Sequence, residues 1–151
     1  MSLILRFASY AAAFGEACSS HDWSPIGKLF AEGAAYDSGG MPAPLGGRFE
    51  GRAAILAYFK FVVDGFDRRF ASRAVGPLGG PREQGASVWF RASVVYTSPC
   101  APELRFEFEE IVTFDAEGRI QRIEDRYDAE TIRVVTDYVR ANGKTLGLAS
   151  A

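Results

Sequence analysis

Hydrophobic and polar positions divide the chain into a helical first third and a strand-rich second half. Phe7, Tyr10, Ala11, Phe14, Ala17 and Cys18 recur at helical spacing, and this predicts a first helix. "HDWSPIGKLFAEG" restarts a helix, with Asp22 or Ser24 as cap, Pro25 in the first turn and Gly33 as terminator. "AAYDS" reads as a short extended piece and "GGMPAPLGG" as a loop. "GRAAILAYFKFVVDGF" predicts a third helix, with Ile55, Phe59 and Val62 on one face. Strands follow at "RRFASRAV", "ASVWFRASVVYT", "ELRFEFEEIVTF" and "RIQRIEDRY". "GPLGGPREQG", "SPCAP" and "DAEG" connect them, the first (76–86) as a passive hairpin loop or a lid over a pocket mouth. "DAETIRVVTDYVRANG" predicts a helix capped by Asp128 and stopped at Asn142-Gly143, and the tail 143–151 reads as loose. Helices first and meandering strands after imply α+β: a strongly curved antiparallel sheet with about three to four helices on its concave face.

The alternation also places unusual side chains. On 120–128, Ile120, Arg122, Glu124, Arg126 and Asp128 share a mostly charged side, while Asp125 sits between Ile123 and Tyr127 on the other. Glu110 lies in the row Leu104, Phe106, Phe108, Val112, Phe114. A carboxyl buried alone is costly, so these two acids are expected to be partnered. On 88–96, Val88, Phe90, Ala92, Val94 and Tyr96 form an apolar side, and Trp89, Arg91, Ser93 and Val95 a mixed one. A strand apolar on both faces is usually covered on both. The helices cover one face, so a homodimer through the outer face is expected, over Val88, Phe90, Val94, Tyr96 and Ile111.

Length and composition bound the function. The chain has 151 residues and is 48% hydrophobic, enough for one domain (1–151, core about 7–140) with a true core. A formal net charge of -2 and no basic stripe argue against nucleic acid. Cys18 and Cys100 have no metal-ligand spacing, and the single His21 cannot complete a zinc site or a triad with them. No apolar run reaches a membrane span, and the start lacks the basic region of a signal peptide. The expectation is a cytoplasmic protein without metal or organic cofactor, whose partner is a small apolar or amphipathic molecule.

"LFAEGAAYDS", "GRAAILAYF" and "EIVTFDAEGRIQRIEDRYD" resemble the nuclear transport factor 2-like superfamily, in particular its SnoaL-like, ketosteroid isomerase and limonene epoxide hydrolase branches. The resemblance implies a cone: a long bent sheet closed by helices around a deep apolar pocket with polar groups at its base. It places Asp125 on one of the two catalytic aspartates of the epoxide hydrolase, and Tyr36 on its water-binding tyrosine. Ser38 stands for that enzyme's water-binding asparagine, Arg91 for its central arginine and Ser93 for its second aspartate, which is missing here. Against ketosteroid isomerase, Glu110 falls on the protonated aspartate of the oxyanion hole, a carboxylic acid kept neutral by an apolar site. The isomerase base corresponds to Ser38, which cannot serve as a base. The expected site is therefore Asp125, Glu110, Arg91 and Tyr36 as catalytic groups, with Ser38, Trp89, Ser93, Phe108 and Tyr127 around the substrate. The implied chemistry is cofactor-independent acid/base work of isomerase, cyclase, dehydratase or hydrolase type. The alternative is a ligand-binding or dimerisation module of the same fold.

Overall fold

A computed structural model describes residues 1–149. Helix α1 (Leu3–Ser20) starts at Ser2, whose hydroxyl accepts from Leu5 N at 3.2 Å. A single turn, α2 (Ser24–Gly27), begins with Pro25 and buries Ile26. Strand β1 (Phe30–Asp37), short strand β2 (Arg48–Glu50) and helix α3 (Arg52–Gly65) follow. A 3-10 turn (Asp67–Arg69) leads into β3 (Ser72–Gln84), β4 (Ser87–Ser98), β5 (Ala101–Phe114) and β6 (Ile120–Arg126). Helix α4 (Ala129–Leu146) ends the fold, with Asp128 accepting from Thr131 N at 2.7 Å. No described helix is long and apolar enough to cross a membrane.

The six strands form one sheet in the order β2-β1-β6-β5-β4-β3. Four of its five pairings are antiparallel; β1 runs parallel to β6, so the sheet is mixed. The α+β class, the curved sheet and the helical cover are as expected. Aromatic rings knit the layers. Phe7 of α1 lies 5.5 Å from Phe90 of β4, Tyr10 lies 6.0 Å from Phe30 of β1, and Phe59 of α3 lies 6.1 Å from Phe30. At the far end, Tyr138 of α4 donates to Pro102 O at 2.7 Å and stacks on Phe70.

Several boundaries differ from the periodicity reading. The helix expected to run to Gly33 stops at Gly27, because Phe30, Ala34 and Tyr36 bury their side chains while the backbone joins β6. "GPLGGPREQG" is neither a hairpin loop nor a lid. It continues β3 at the sheet edge, with register shifts flanking Gly79, and an edge strand tolerates proline because the missing N–H faces solvent. Helix α4 passes through Asn142-Gly143 to Leu146 and stops at Gly147, whose φ of +67° favours glycine. The segment after it is tied down, with Ala149 N donating to Gly65 O at 2.9 Å; residues 150 and 151 of the expected loose tail lie outside the described residues. A register shift between Thr113 and Phe114 carries Ile120 back into the core, away from the charged side it was assigned to.

The largest correction concerns the faces of β4. Val88, Ala92, Val94 and Tyr96 are buried inside the monomer, and Phe90 is half-buried there against Phe7. Ile111 pairs with Trp89 on the opposite face. The apolar patch invoked for a dimer is thus split between two faces, and its larger part is already covered by α1 and α3. The convex face instead carries ion pairs, Arg91–Glu107 at 2.5 Å and Arg122–Glu124 at 2.9 Å among them.

Candidate functional site

Between the concave face and helices α1 and α3 lies a cavity of about 400 Å³, within the range of small-molecule pockets. Its walls are mostly aromatic, with Phe14, Phe59, Phe90 and Phe106 among them. Two groups of polar side chains interrupt this lining.

The first is built where β1, β5 and β6 adjoin. Parallel pairing sets Tyr36 beside Ile123, two residues from Asp125 on the same inward side, and the Tyr36 hydroxyl donates to Asp125 Oδ2. Antiparallel pairing sets Glu110 directly opposite Asp125. Asp125 Oδ1 is buried and has no other hydrogen-bond partner among the described residues than the facing Glu110 carboxyl, which supplies one when it carries a proton. The residue is only 9% exposed. Burial, and then the charge of Asp125, push Glu110 well above the usual carboxylate range. Burial raises Asp125 too, against the Tyr36 hydroxyl, the Glu110 carboxyl and the Arg73 charge, which lower it. Two adjacent carboxyls in an apolar cavity, Asp125 buried and Glu110 half-buried, do not both ionise readily, and the stronger upward push falls on Glu110.

Three further groups surround this pair. Ser38 is buried and donates to Leu45 O at 2.5 Å, and the Tyr58 hydroxyl donates to the same carbonyl. Tyr127 and Phe108 line the wall. Burial pushes the Tyr58 phenol up to about 12 and raises those of Tyr10, Tyr36 and Tyr127 as well, so each is a neutral donor at ordinary pH. Asp37, next to Ser38 in sequence, turns away and accepts from Gly39 N at 2.9 Å.

The second polar group comes from the 3-10 turn, β3 and β4. The Tyr96 hydroxyl donates to Asp67 Oδ1 at 2.8 Å and accepts from Arg73 Nε at 3.2 Å, and Arg73 Nε lies 3.7 Å from Asp67 Oδ2. Burial raises the Asp67 carboxyl, and Arg73 and Tyr96 oppose that rise.

Of the residues singled out in the sequence, Asp125, Glu110, Tyr36, Ser38, Phe108 and Tyr127 line this one cavity. Arg91, Trp89 and Ser93 do not. Each is the odd neighbour of an inward residue on β4, so each projects from the convex face. Arg91 is exposed and bound to Glu107, and Trp89 lies under the Arg82 guanidinium at 4.0 Å. The aspartate–arginine–aspartate set of the epoxide hydrolase is therefore not assembled. Sequence reasoning missed Tyr10, Tyr58, Asp67, Arg73 and Tyr96 as cavity groups. Tyr58 was legible, since it shares the inward side of α3 with Ile55 and Val62 at helical spacing. Among the described residues, no group of three or more His, Cys, Asp or Glu is placed to hold a metal ion.

The SnoaL-like domain model matches residues 11–123. No curated protein sequence matches the chain. Solved structures share the fold at low identity. A protein of unknown function from Burkholderia pseudomallei, described as NTF2-like, is 21% identical over 90% of this chain and 99% of its own, with a TM-score of 0.62. SalBIII, an epoxide hydrolase/cyclase-like enzyme in pyran ring formation in the polyether salinomycin, is 21% identical over 83% of this chain and 92% of its own, with a TM-score of 0.57. A steroid delta-isomerase from Pseudomonas aeruginosa is 15% identical over 93% of each chain, with a TM-score of 0.56. The family match over three-quarters of the length and the helix-closed curved sheet agree: the chain belongs to the SnoaL-like family and has the nuclear transport factor 2-like fold.

Proposed function

We propose that the protein is a cofactor-independent acid/base enzyme acting on a small, mostly apolar carbonyl compound. One observation carries this reading: two carboxyls, Asp125 and Glu110, stand directly opposite each other at the base of an aromatic cavity, where burial raises Glu110 well above the usual carboxylate range. Asp125 is the base. It takes a proton from the carbon next to a carbonyl, and the C–H electron pair passes into the new C=C bond as the carbonyl becomes an enolate. Glu110 donates a hydrogen bond to the enolate oxygen, where charge develops. The protonated Asp125 then returns its proton to the α-carbon or, where a neighbouring C=C bond extends the enolate to a dienolate, to the far carbon, as the double bond shifts and the carbonyl re-forms. Tyr36 holds the Asp125 carboxylate in place through Oδ2. Proton shuttling is favoured over water addition because Arg91 and Ser93 lie outside the cavity. SalBIII and the steroid isomerase share the fold, but fold alone does not choose a reaction.

The test is deuterium incorporation from D2O into 2-tetralone, a compact apolar ketone with acidic α-hydrogens. Wild type accelerates exchange, and Asp125→Asn lowers that acceleration about 100-fold or more while the fold survives. Binding of 2-tetralone without acceleration beyond buffer would instead assign the cavity to ligand binding alone.

A further inference from the structure

The second polar group has no part in the proton transfer above, yet it opens into the same cavity. Arg73 uses Nε for Tyr96 and Asp67. Its two terminal nitrogens have no hydrogen-bond acceptor among the described residues. The guanidinium is held in place: Tyr96 is 3% exposed, its hydroxyl is engaged on both sides, and its ring lies 5.8 Å below the Arg73 carbon. Arg73 itself has a side chain 35% exposed, which sets it toward the mouth, whereas Asp125 is buried. Leu5, Val75 and Leu78 are exposed, and of these Val75 joins the lining next to Arg73.

The two polar groups sit on different strands and at different levels along the sheet. On β4, Phe90 stands opposite Glu110 and Tyr96 opposite Leu104, six residues or about 20 Å along the strand. The curvature of the sheet brings the side chains closer than that, and the Arg73 charge acts on both Glu110 and Asp125. Between the ends the lining is apolar: Val94, Phe106, Phe59 and Val62. A ligand that satisfies both ends needs an apolar body and an oxygen at each extremity. Asp67 already balances the Arg73 charge, so the distal oxygen is best uncharged; a carboxylate there would face Asp67 as well.

On this basis, and resting on the assignment of the carboxyl pair as the reacting end, we propose that Arg73 is a specificity-determining residue. It binds an uncharged carbonyl oxygen at the end of an elongated apolar substrate remote from Asp125, with Tyr96 and Asp67 as its positioning residues. The substrate class is a rigid or extended apolar molecule carrying oxygens at both ends, one at the reacting carbonyl and one distal carbonyl.

Three naphthalene probes test this by isothermal titration calorimetry. 2-Naphthol supplies a hydroxyl for the carboxyl pair alone. 6-Acetyl-2-naphthol adds a neutral carbonyl at the opposite end. 6-Hydroxy-2-naphthoate adds a carboxylate there. Wild type should bind the acetyl compound about ten-fold tighter than 2-naphthol, as expected for a hydrogen bond from a charged donor. Arg73→Gln should bring that ratio to near one, and Arg73→Lys, which keeps the charge beside Asp67, should lower it as well. The ratio is internal to each variant, so a general folding defect that weakens both probes does not imitate the effect. Asp125→Asn should leave the ratio intact, so the failure of Asp125 as a base and the failure of Arg73 as an anchor are distinguishable. An unchanged ratio in Arg73→Gln, no acetyl preference in wild type, or no binding of any probe would overturn the proposal. Tighter binding of the naphthoate than of the acetyl compound would overturn the assignment of an uncharged acceptor.

Discussion

Tyr36→Phe removes one hydroxyl and almost no packing volume. In the native fold that hydroxyl donates to Asp125 Oδ2, and the facing Glu110 carboxyl is the other donor to Asp125. The variant therefore leaves the buried carboxylate with Glu110 as its one side-chain donor. A hydrogen bond to a charged group contributes about 1.5–3 kcal/mol, and one between neutral groups about 0.5–1.5 kcal/mol. Tyr36 is 6% and Asp125 9% exposed, so solvent screening does little to reduce the first figure. In the Asp125→Asn background the same hydroxyl meets a neutral amide, and its loss falls in the second range. The double-mutant cycle should thus give a coupling of about 1–2 kcal/mol.

The assay is urea unfolding of wild type, both single variants and the double variant, with equal slopes as the check that the unfolded states are comparable. A loss near 2 kcal/mol corresponds to roughly 4–8 °C in the thermal midpoint for a chain of this size. The pH dependence gives a second arm. The Tyr36 hydroxyl opposes the upward push of burial on Asp125, so its removal raises the folded-state value further above the unfolded one. A carboxyl raised in this way adds stability that is full below its unfolded value and lost as pH rises through the folded one. The gap between wild type and Tyr36→Phe should be widest at neutral pH and narrow on acidification. A coupling below about 0.5 kcal/mol, or a gap independent of pH, would refute the picture of Tyr36 supporting a charged Asp125.

Three other variants probe the remaining parts of the site. Glu110→Gln mimics the protonated acid. Because burial and Asp125 raise Glu110, the wild-type acid costs stability as pH climbs from the carboxylate range toward neutrality, and urea midpoints of the variant should show a flatter pH profile and no loss at neutral pH. Arg91→Ala removes an exposed ion pair with Glu107 and should change both stability (within about 0.5 kcal/mol) and 2-naphthol affinity (within about two-fold) very little; a ten-fold loss of affinity would put Arg91 back in the site. Gly39→Ala combines a φ of +57° with a Cβ only 2.5 Å from the Asp125 carbonyl oxygen, so it should cost more than about 1 kcal/mol in urea unfolding and disturb Asp125-dependent exchange as well.

The elements that periodicity recovered are those whose stability is local or whose burial is regular. Helices α1, α3 and α4 each present a repeating apolar side, and β4 to β6 alternate over long runs. The missed elements depend on partners distant in sequence. Phe30–Gly33 reads as the end of a helix until β6 offers it a hydrogen-bonded neighbour, and three-residue β2 exists through its pairing with β1. The second half of β3 has the glycine and proline content of a loop and is a strand because β4 is long enough to pair with it. In the site, Asp125 and Glu110 were legible because an acid interrupting an apolar row is a local signal, and Tyr36 came from the resemblance to the epoxide hydrolase. Asp67 and Arg73 gave none, as each lies in a stretch whose inward side is set by the turn after α3.

The misplacement of Arg91 has a different origin, since the register needed to avoid it is implicit in the chain. The short turn around Pro99 and Cys100 makes β4 and β5 a hairpin, and residues directly opposite in a hairpin share a face. Phe90 stands opposite Glu110 and Val94 opposite Phe106. Once Glu110 is taken to be inside, Phe90 and Val94 must be inside too, and Trp89, Arg91 and Ser93 must be outside. The resemblance to the epoxide hydrolase placed Arg91 inside and so conflicted with this pairing. The consequence is chemical. With Arg91 outside, no cation stands against the Asp125–Glu110 pair, and the nearby cation that acts on it, Arg73, is already bound to Asp67. The pair must then limit its own charge by keeping one proton between two carboxyls. That retained proton is what the proposed roles of Asp125 as base and Glu110 as acid rest on.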